Sequence, residues 1–276
     1  MLALYGGAGN AILLSEVISL KTIGLIGGMS WESTVTYYQV INETVKAKLG
    51  GLHSAQCVLY SVDFAEIERC QAAGDWARSA EILKEAGLAL ERAGADFIVI
   101  CTNTMHKVVP EMRRALSIPI LHIAEMTAQA LHEKNIHRVG LLGTKYTMQQ
   151  DFYKEILLEQ GIDVLIPNET QMALVNRVIY DELCKGVIST ESKQKFLQII
   201  EELAERGAEG MILGCTEIGL LIEQKDTEIP LFDTALIHAE RAALEALRYI
   251  LKKSLPKRAA SAKIYCCNPC SAKQSR

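Results

Sequence analysis

A chain that repeats itself after about 115 residues has its fold set by the repeat unit. Here Lys21-Thr-Ile-Gly-Leu-Ile-Gly-Gly28 matches His137-Arg-Val-Gly-Leu-Leu-Gly-Thr144, a short apolar run that ends in glycine and opens into a helix. Ala93-Gly-Ala-Asp-Phe-Ile-Val-Ile-Cys-Thr-Asn-Thr104 matches Arg206-Gly-Ala-Glu-Gly-Met-Ile-Leu-Gly-Cys-Thr-Glu217, and Ile118-Pro-Ile-Leu-His122 matches Ile229-Pro-Leu-Phe-Asp233. Gly94 and Gly207 suit the left-handed conformation that ends a helix. The runs Phe97 to Ile100 and Met211 to Leu213 read as strands buried on both faces, and Pro119 and Pro230 mark extended segments leading into alanine-rich helices. Helix-period stretches at 79–92 and 193–205 lie between the strands. This alternation predicts two pseudo-symmetric three-layer α/β domains with mostly parallel sheets and an active site in the interdomain cleft. The expected division is an N-terminal extension 1–20, a first domain 21–120 with 229–252 packing back on it, a second domain 121–228, and a disordered tail 253–276.

With 276 residues, 49% hydrophobic and 22% charged, the chain is long enough for two ordinary domains. A net charge of -4 and no basic stripe argue against a nucleic-acid partner. No apolar run reaches the roughly 18 to 20 residues that span a bilayer, so no membrane partner is expected. Met1 to Leu20 lacks a basic start and contains Glu16, a poor secretory signal, so the expected location is cytoplasmic. Eight scattered cysteines argue for reduced thiols. Cys57, Cys70 and Cys184 read as small buried residues. Cys266, Cys267 and Cys270 resemble half a zinc knuckle without a partner motif, and no metal site is expected. Gly24 to Gly28 reads GxxGG, not GxGxxG, and Lys46 to Lys48 stand where a dinucleotide site would carry an acid.

Chemistry concentrates at two strand ends. Small polar residues follow the strands in Cys101-Thr-Asn-Thr-Met-His106 and in Gly214-Cys-Thr-Glu217, the place where open parallel sheets bind ligands. The repeat superposes Thr102 on Cys215, Asn103 on Thr216 and Thr104 on Glu217. Two equivalent groups then face each other across one cleft, which suits a reaction that removes an α-proton from one face of a planar carbanion and returns one to the other. His106 reads equally as a packing or a catalytic histidine. His53 and Asp63 form no diagnostic pair, and His122 and Asp233 read as structural hydrogen-bonding groups.

The segments GLIGGMSWEST (Gly24 to Thr34), CTNTMH (Cys101 to His106) and LGCTEIGLL (Leu213 to Leu221) resemble the aspartate/glutamate racemase family over residues 21–250. The resemblance implies proton exchange by two cysteines, one per domain, without pyridoxal phosphate, metal or other cofactor, in what is commonly a homodimer. Carried over by motif, the second cysteine is Cys215 and the first position holds Thr102, so the chain resembles a branch with Thr in place of the first catalytic Cys. Cys101, on the opposite face of the strand, and water are the alternatives for completing the exchange. The resemblance further implies that Cys215 serves the L enantiomer. It places substrate binding at Met29, Ser30, Asn103, Thr104, Thr144, Thr216 and Glu217, with Gln71 on a side-chain-recognising arm. Glu217 stands where glutamate racemases carry a histidine. The expected activity is cofactor-independent racemisation of aspartate or glutamate, L preferred, on a small-molecule substrate. The alternatives are a single-cysteine decarboxylase or a maleate-type isomerase on the same fold, and a non-catalytic amino-acid-binding protein.

Overall fold

The structure, a computed structural model, describes residues 20–254. The N-terminal extension and Cys266, Cys267 and Cys270 of the tail lie outside the described residues. In chain order the first half contains β1 (Ile23–Gly27), α1 (Trp31–Leu49), β2 (Cys57–Ser61), α2 (Phe64–Ala73), α3 (Trp76–Arg92), β3 (Phe97–Ile100), α4 (Val109–Arg113), β4 (Ile120–Leu121) and α5 (Ile123–Glu133). The second half contains β5 (Arg138–Gly143), α6 (Lys145–Gln149), α7 (Asp151–Glu159), β6 (Asp163–Leu165), α8 (Glu169–Asp181), α9 (Thr190–Glu205), β7 (Gly210–Gly214), α10 (Ile218–Leu221), β8 (Leu231–Asp233) and α11 (Thr234–Ser254). The sheets run β2-β1-β3-β4 and β6-β5-β7-β8. Every pairing is parallel, so the repeat in sequence is a repeat in topology.

Local chemistry explains where the long helices start and stop. Both α3 and α9 begin three residues before the periodic segments do. The Asp75 carboxylate accepts the Arg78 N–H, and the Ser189 hydroxyl accepts the Ser192 N–H, so each cap extends its helix by a turn. Both helices run out at glycines with positive φ, 89° at Gly94 and 96° at Gly207, the conformation that frees the chain to turn into the next strand.

Alternation along each strand divides the core into four layers. In the first sheet Ile23, Leu25, Phe97 and Val99 pack against Tyr37 and Ile41 of α1 and the alanines 239, 242, 243 and 246 of α11. Ile26, Ile98 and Ile100 face the other way, onto Leu83, Leu90 and Met112 of α3 and α4. In the second sheet Val139, Leu141 and Ile212 meet α5 and α7 through Ala128, Leu131, Tyr153 and Leu157. Leu142, Met211 and Leu213 meet α8 and α9. Each half thus covers the other: α5 follows a strand of the first sheet and lies on the second, and α11 follows β8 and lies on the first. Of the segment 229–252, β8 hydrogen-bonds to β7 in the second sheet, and only the helix reaches back.

Cys57, Cys70 and Cys184 are half-buried, not the fully buried residues the sequence suggested; Cys101 is fully buried. Trp31, Val35 and Tyr38 leave an apolar stripe exposed along α1, and Leu59 and Tyr60 are exposed on the edge strand β2. Among the described residues no helix is long and apolar enough to cross a membrane.

Candidate active site

The carboxyl ends of β1, β3, β5 and β7 converge on one small cavity between the sheets. Met29 and Ser30 reach it from the β1 loop, Thr102, Asn103 and Thr104 from β3, Thr144 from β5, and Gly214, Cys215, Thr216 and Glu217 from β7. Gln71 enters from α2. All ten residues singled out in the sequence therefore line a single space. Four lining residues were missed: Phe64 at the start of α2, Ile179 and Tyr180 at the end of α8, and Cys184 just beyond it. Phe64 lies in the same loop-to-helix segment as Gln71 and could have been found there. The α8 residues carry no local signal, because only the packing of that helix over β5 brings them in.

Thr102 and Cys215 extend from equivalent strand ends, β3 and β7, into the same cavity. Cys101 does not reach it: the thiol faces the α1 and α11 layer at 0% exposure, and burial pushes its pKa far up. Of the described cysteines, Cys215 and Cys184 line the cavity.

Glu217 organises the second wall. Its Oε2 accepts from Cys215 Sγ at 3.0 Å and from Thr216 Oγ1 at 2.6 Å, and its Oε1 accepts from Ser30 Oγ at 2.9 Å, across the cleft. Cys215 is buried, 8% exposed as a residue. Burial raises its thiol pKa well above the free value, and the charge and hydrogen bond of Glu217 add to that. The Cys184 thiol is pushed up to about 12, mainly by burial and then by the charges of Glu217 and Glu32. Asp233, the residue at the end of β8, lies behind this wall. Burial, and to a smaller extent the charge of Glu217, lifts its carboxyl to about 6 against the pull of the Leu236 and Ala235 N–H groups.

The first wall is neutral. Asn103 Nδ2 donates to Thr234 Oγ1 at 2.9 Å, and Thr234 in turn donates to the Leu213 carbonyl, tying the two walls together. Asn103 Oδ1 is buried without a partner, an acceptor left for something in the cavity. Among the described residues the backbone N–H groups of Asn103 and Thr216, equivalent in the repeat, also lack hydrogen-bond partners. Two free donors and a free acceptor suit the carboxylate and ammonium of an amino acid. No group of three His, Cys, Asp or Glu side chains that could hold a metal is found among the described residues.

The family model for Asp/Glu/hydantoin racemases matches residues 26–242. The broad specificity amino-acid racemase RacX of Bacillus subtilis is 29% identical over 165 residues, 60% of this chain and 71% of its own. Among solved structures, a candidate Asp/Glu racemase from Yersinia pestis is 52% identical, superposes with a TM-score of 0.79, and is matched over 83% of this chain and 100% of that one. An aspartate racemase homologue from Pyrococcus horikoshii is 37% identical with a TM-score of 0.74, over 82% of this chain and 99% of that one. The match covers most of the chain and the fold superposes on these solved relatives, and the chain belongs to the Asp/Glu/hydantoin racemase family.

Proposed function

We propose that the chain racemises aspartate or glutamate, starting from the L enantiomer, by α-proton exchange between Cys215 and Thr102 without a cofactor. What supports this reading is that Thr102, after β3 of the first sheet, and Cys215, after the equivalent β7 of the second, line one cavity. The Cys215 S–H bond points at Glu217, so transfer of that proton to the carboxylate leaves a thiolate. The thiolate takes the α-proton of the L substrate, breaking C–H and forming S–H, while the electron pair moves into the substrate carboxylate. The unpartnered Asn103 and Thr216 N–H groups are donors for its developing negative charge. Protonation from the opposite face, by the Thr102 hydroxyl or a water it holds, gives the D product. A hydroxyl is a far weaker acid and base than a thiol, hence the preference for entry from the L side.

One observation favours a second reading of the substrate. Among the described residues no lysine, arginine or histidine lines the cavity, whereas Met29, Phe64, Ile179 and Tyr180 do, which suits uncharged side chains and a breadth like that in the name of the Bacillus subtilis relative. In the adjoining groove Lys185 lines a wall with Ser30, Glu32, Cys184 and Glu217, a cation within reach of an acidic side chain. Proton NMR in deuterium oxide with L-aspartate, L-glutamate and a panel of neutral L-amino acids, combined with chiral chromatography, tests both. Loss of the α-proton signal with appearance of D-product, abolished in Cys215→Ser, is expected. Carbon dioxide release, or ligand-induced stabilisation without any exchange, would overturn the proposal in favour of a decarboxylase or a binding protein.

A further inference from the structure

Behind the first wall lies a cluster of three buried histidines. The rings of His106 and His122 are 4.6 Å apart, those of His106 and His238 5.5 Å, and the Tyr37 hydroxyl meets His238 Nδ1 at 2.9 Å. None of the three lines the cavity. Their hydrogen bonds determine their tautomers. His106 Nε2 accepts the Ile123 N–H at 3.2 Å, so the ring proton is on Nδ1, which donates to the Thr102 carbonyl at 2.8 Å.

That bond has a geometric consequence in the cavity. The Thr102–Asn103 peptide is trans, since Met29–Ser30 is the one cis bond among the described residues. In a trans peptide the carbonyl and the following N–H point in opposite directions. Drawing the Thr102 carbonyl back onto His106 therefore turns the Asn103 N–H away from the histidine, towards the side where Thr102 and Asn103 line the cavity. Among the described residues this N–H has no hydrogen-bond partner.

The second wall has no such prop. The repeat places Gly219 opposite His106, and Asp233 opposite His122. A Cβ on Gly219 would lie 2.5 Å from Asp233 Oδ2, so the carboxyl fills the space that an imidazole fills in the first half. One wall is backed by a neutral donor, the other by an acid.

From this we infer that His106 is a positioning residue of the reaction: through its Nδ1–H bond it aims the Asn103 N–H at the substrate carboxylate and sets the Thr102 hydroxyl for the second proton transfer. The inference rests on the racemase reading above. It also separates the two half-reactions, because proton abstraction uses the Cys215 wall and reprotonation uses the wall His106 holds.

The test is a pair of substitutions read in deuterium oxide. Asn places its amide nitrogen where His has Nδ1 and keeps the donor; Gln places its polar group near Nε2 and loses it. His106→Gln should raise KM for the L substrate severalfold and lower the ratio of D-product formed to α-proton exchanged by tenfold or more, and His106→Asn should restore both. Thermal melting of both variants identifies a merely structural role, since Asn leaves the Ile123 N–H unpartnered and should be no better folded than Gln. An unchanged product-to-exchange ratio in His106→Gln, or equal loss in both variants, overturns the inference while leaving the racemase reading intact. Absence of exchange in the wild-type chain overturns the reading itself, and the inference with it.

Discussion

Cys215 Sγ donates to Glu217 Oε2 at 3.0 Å, and that carboxylate is already held by Thr216 and, from across the cleft, by Ser30. The pair is thus an acid and its acceptor, assembled before substrate arrives. Replacing Glu217 by Gln removes the acceptor and the negative charge together. Exchange of the L-substrate α-proton at neutral pH should fall by about 10²- to 10⁴-fold, the usual worth of a positioned base. Because the Glu217 charge helps to hold the thiol pKa up, the residual activity of Glu217→Gln should rise with pH earlier than that of the wild type. A rate–pH profile that is unshifted would mean that the thiol ionises without reference to Glu217.

On the proposed mechanism, Thr102 is the wall residue that limits direction. Thr102→Cys supplies a thiol there, and the exchange of D substrate in deuterium oxide should rise by at least tenfold while exchange of the L substrate stays within severalfold of wild type. Equal, low exchange of the D enantiomer in both proteins would place the second proton donor elsewhere.

The buried histidines make folding sensitive to acid. Desolvation lowers all three: His122 to about 3, His238 to about 4, and His106 well below its free value. The unfolded chain takes up these protons near pH 6.5 and the folded chain does not, so the stability they confer is present above about pH 6.5 and is lost as pH falls towards 4. Asp233 works in the opposite sense. Its folded value of about 6 exceeds the unfolded one, so its contribution grows as pH falls from 6 to 4 and offsets one of the three. The net loss between pH 6 and pH 5 should be on the order of 2 kcal/mol. Urea titrations at pH 7.5, 6 and 5 check this, and equal stability across the range would contradict it.

The stripe of Trp31, Val35 and Tyr38, spaced at helical intervals on the outer face of α1, gives the expected homodimer a surface. Burying apolar side chains of this size against a second copy is favourable. The double substitution Val35→Glu and Tyr38→Glu should give a monomer in sedimentation analysis without lowering the melting temperature by more than a few degrees. A chain that sediments as a monomer before substitution would remove the need for the interface.

Much of this arrangement was legible in the repeat. The glycines 94 and 207, the apolar runs after them and the polar residues beyond were enough to place Thr102 opposite Cys215, because a parallel strand sends its loop to a defined edge of the sheet and a duplicated unit does so twice. Cys101 stayed open in the sequence as an alternative, although neighbouring side chains of a strand point to opposite faces; its burial in the α1 and α11 layer keeps it out of the cavity. The strand and loop placements are local properties, read from periods of two and from the conformations that glycine and proline favour.

Other features depend on packing over long distances. The exchange of α5 and α11 between the halves follows from which sheet face each helix finds, and the small alanines of α11 permit its close approach to α1 without specifying it. Cys184 and Tyr180 enter the cavity because α8 lies across the second sheet. Glu217 bridges to Ser30 only because 187 residues of chain bring the two loops together. The sequence by itself determined the strand ends and the residues they carry, through backbone geometry that each segment decides alone. The tertiary structure decided what stands behind each wall, imidazole behind Thr102 and carboxylate behind Cys215, because hydrogen bonds and desolvation act between groups that no local pattern brings together.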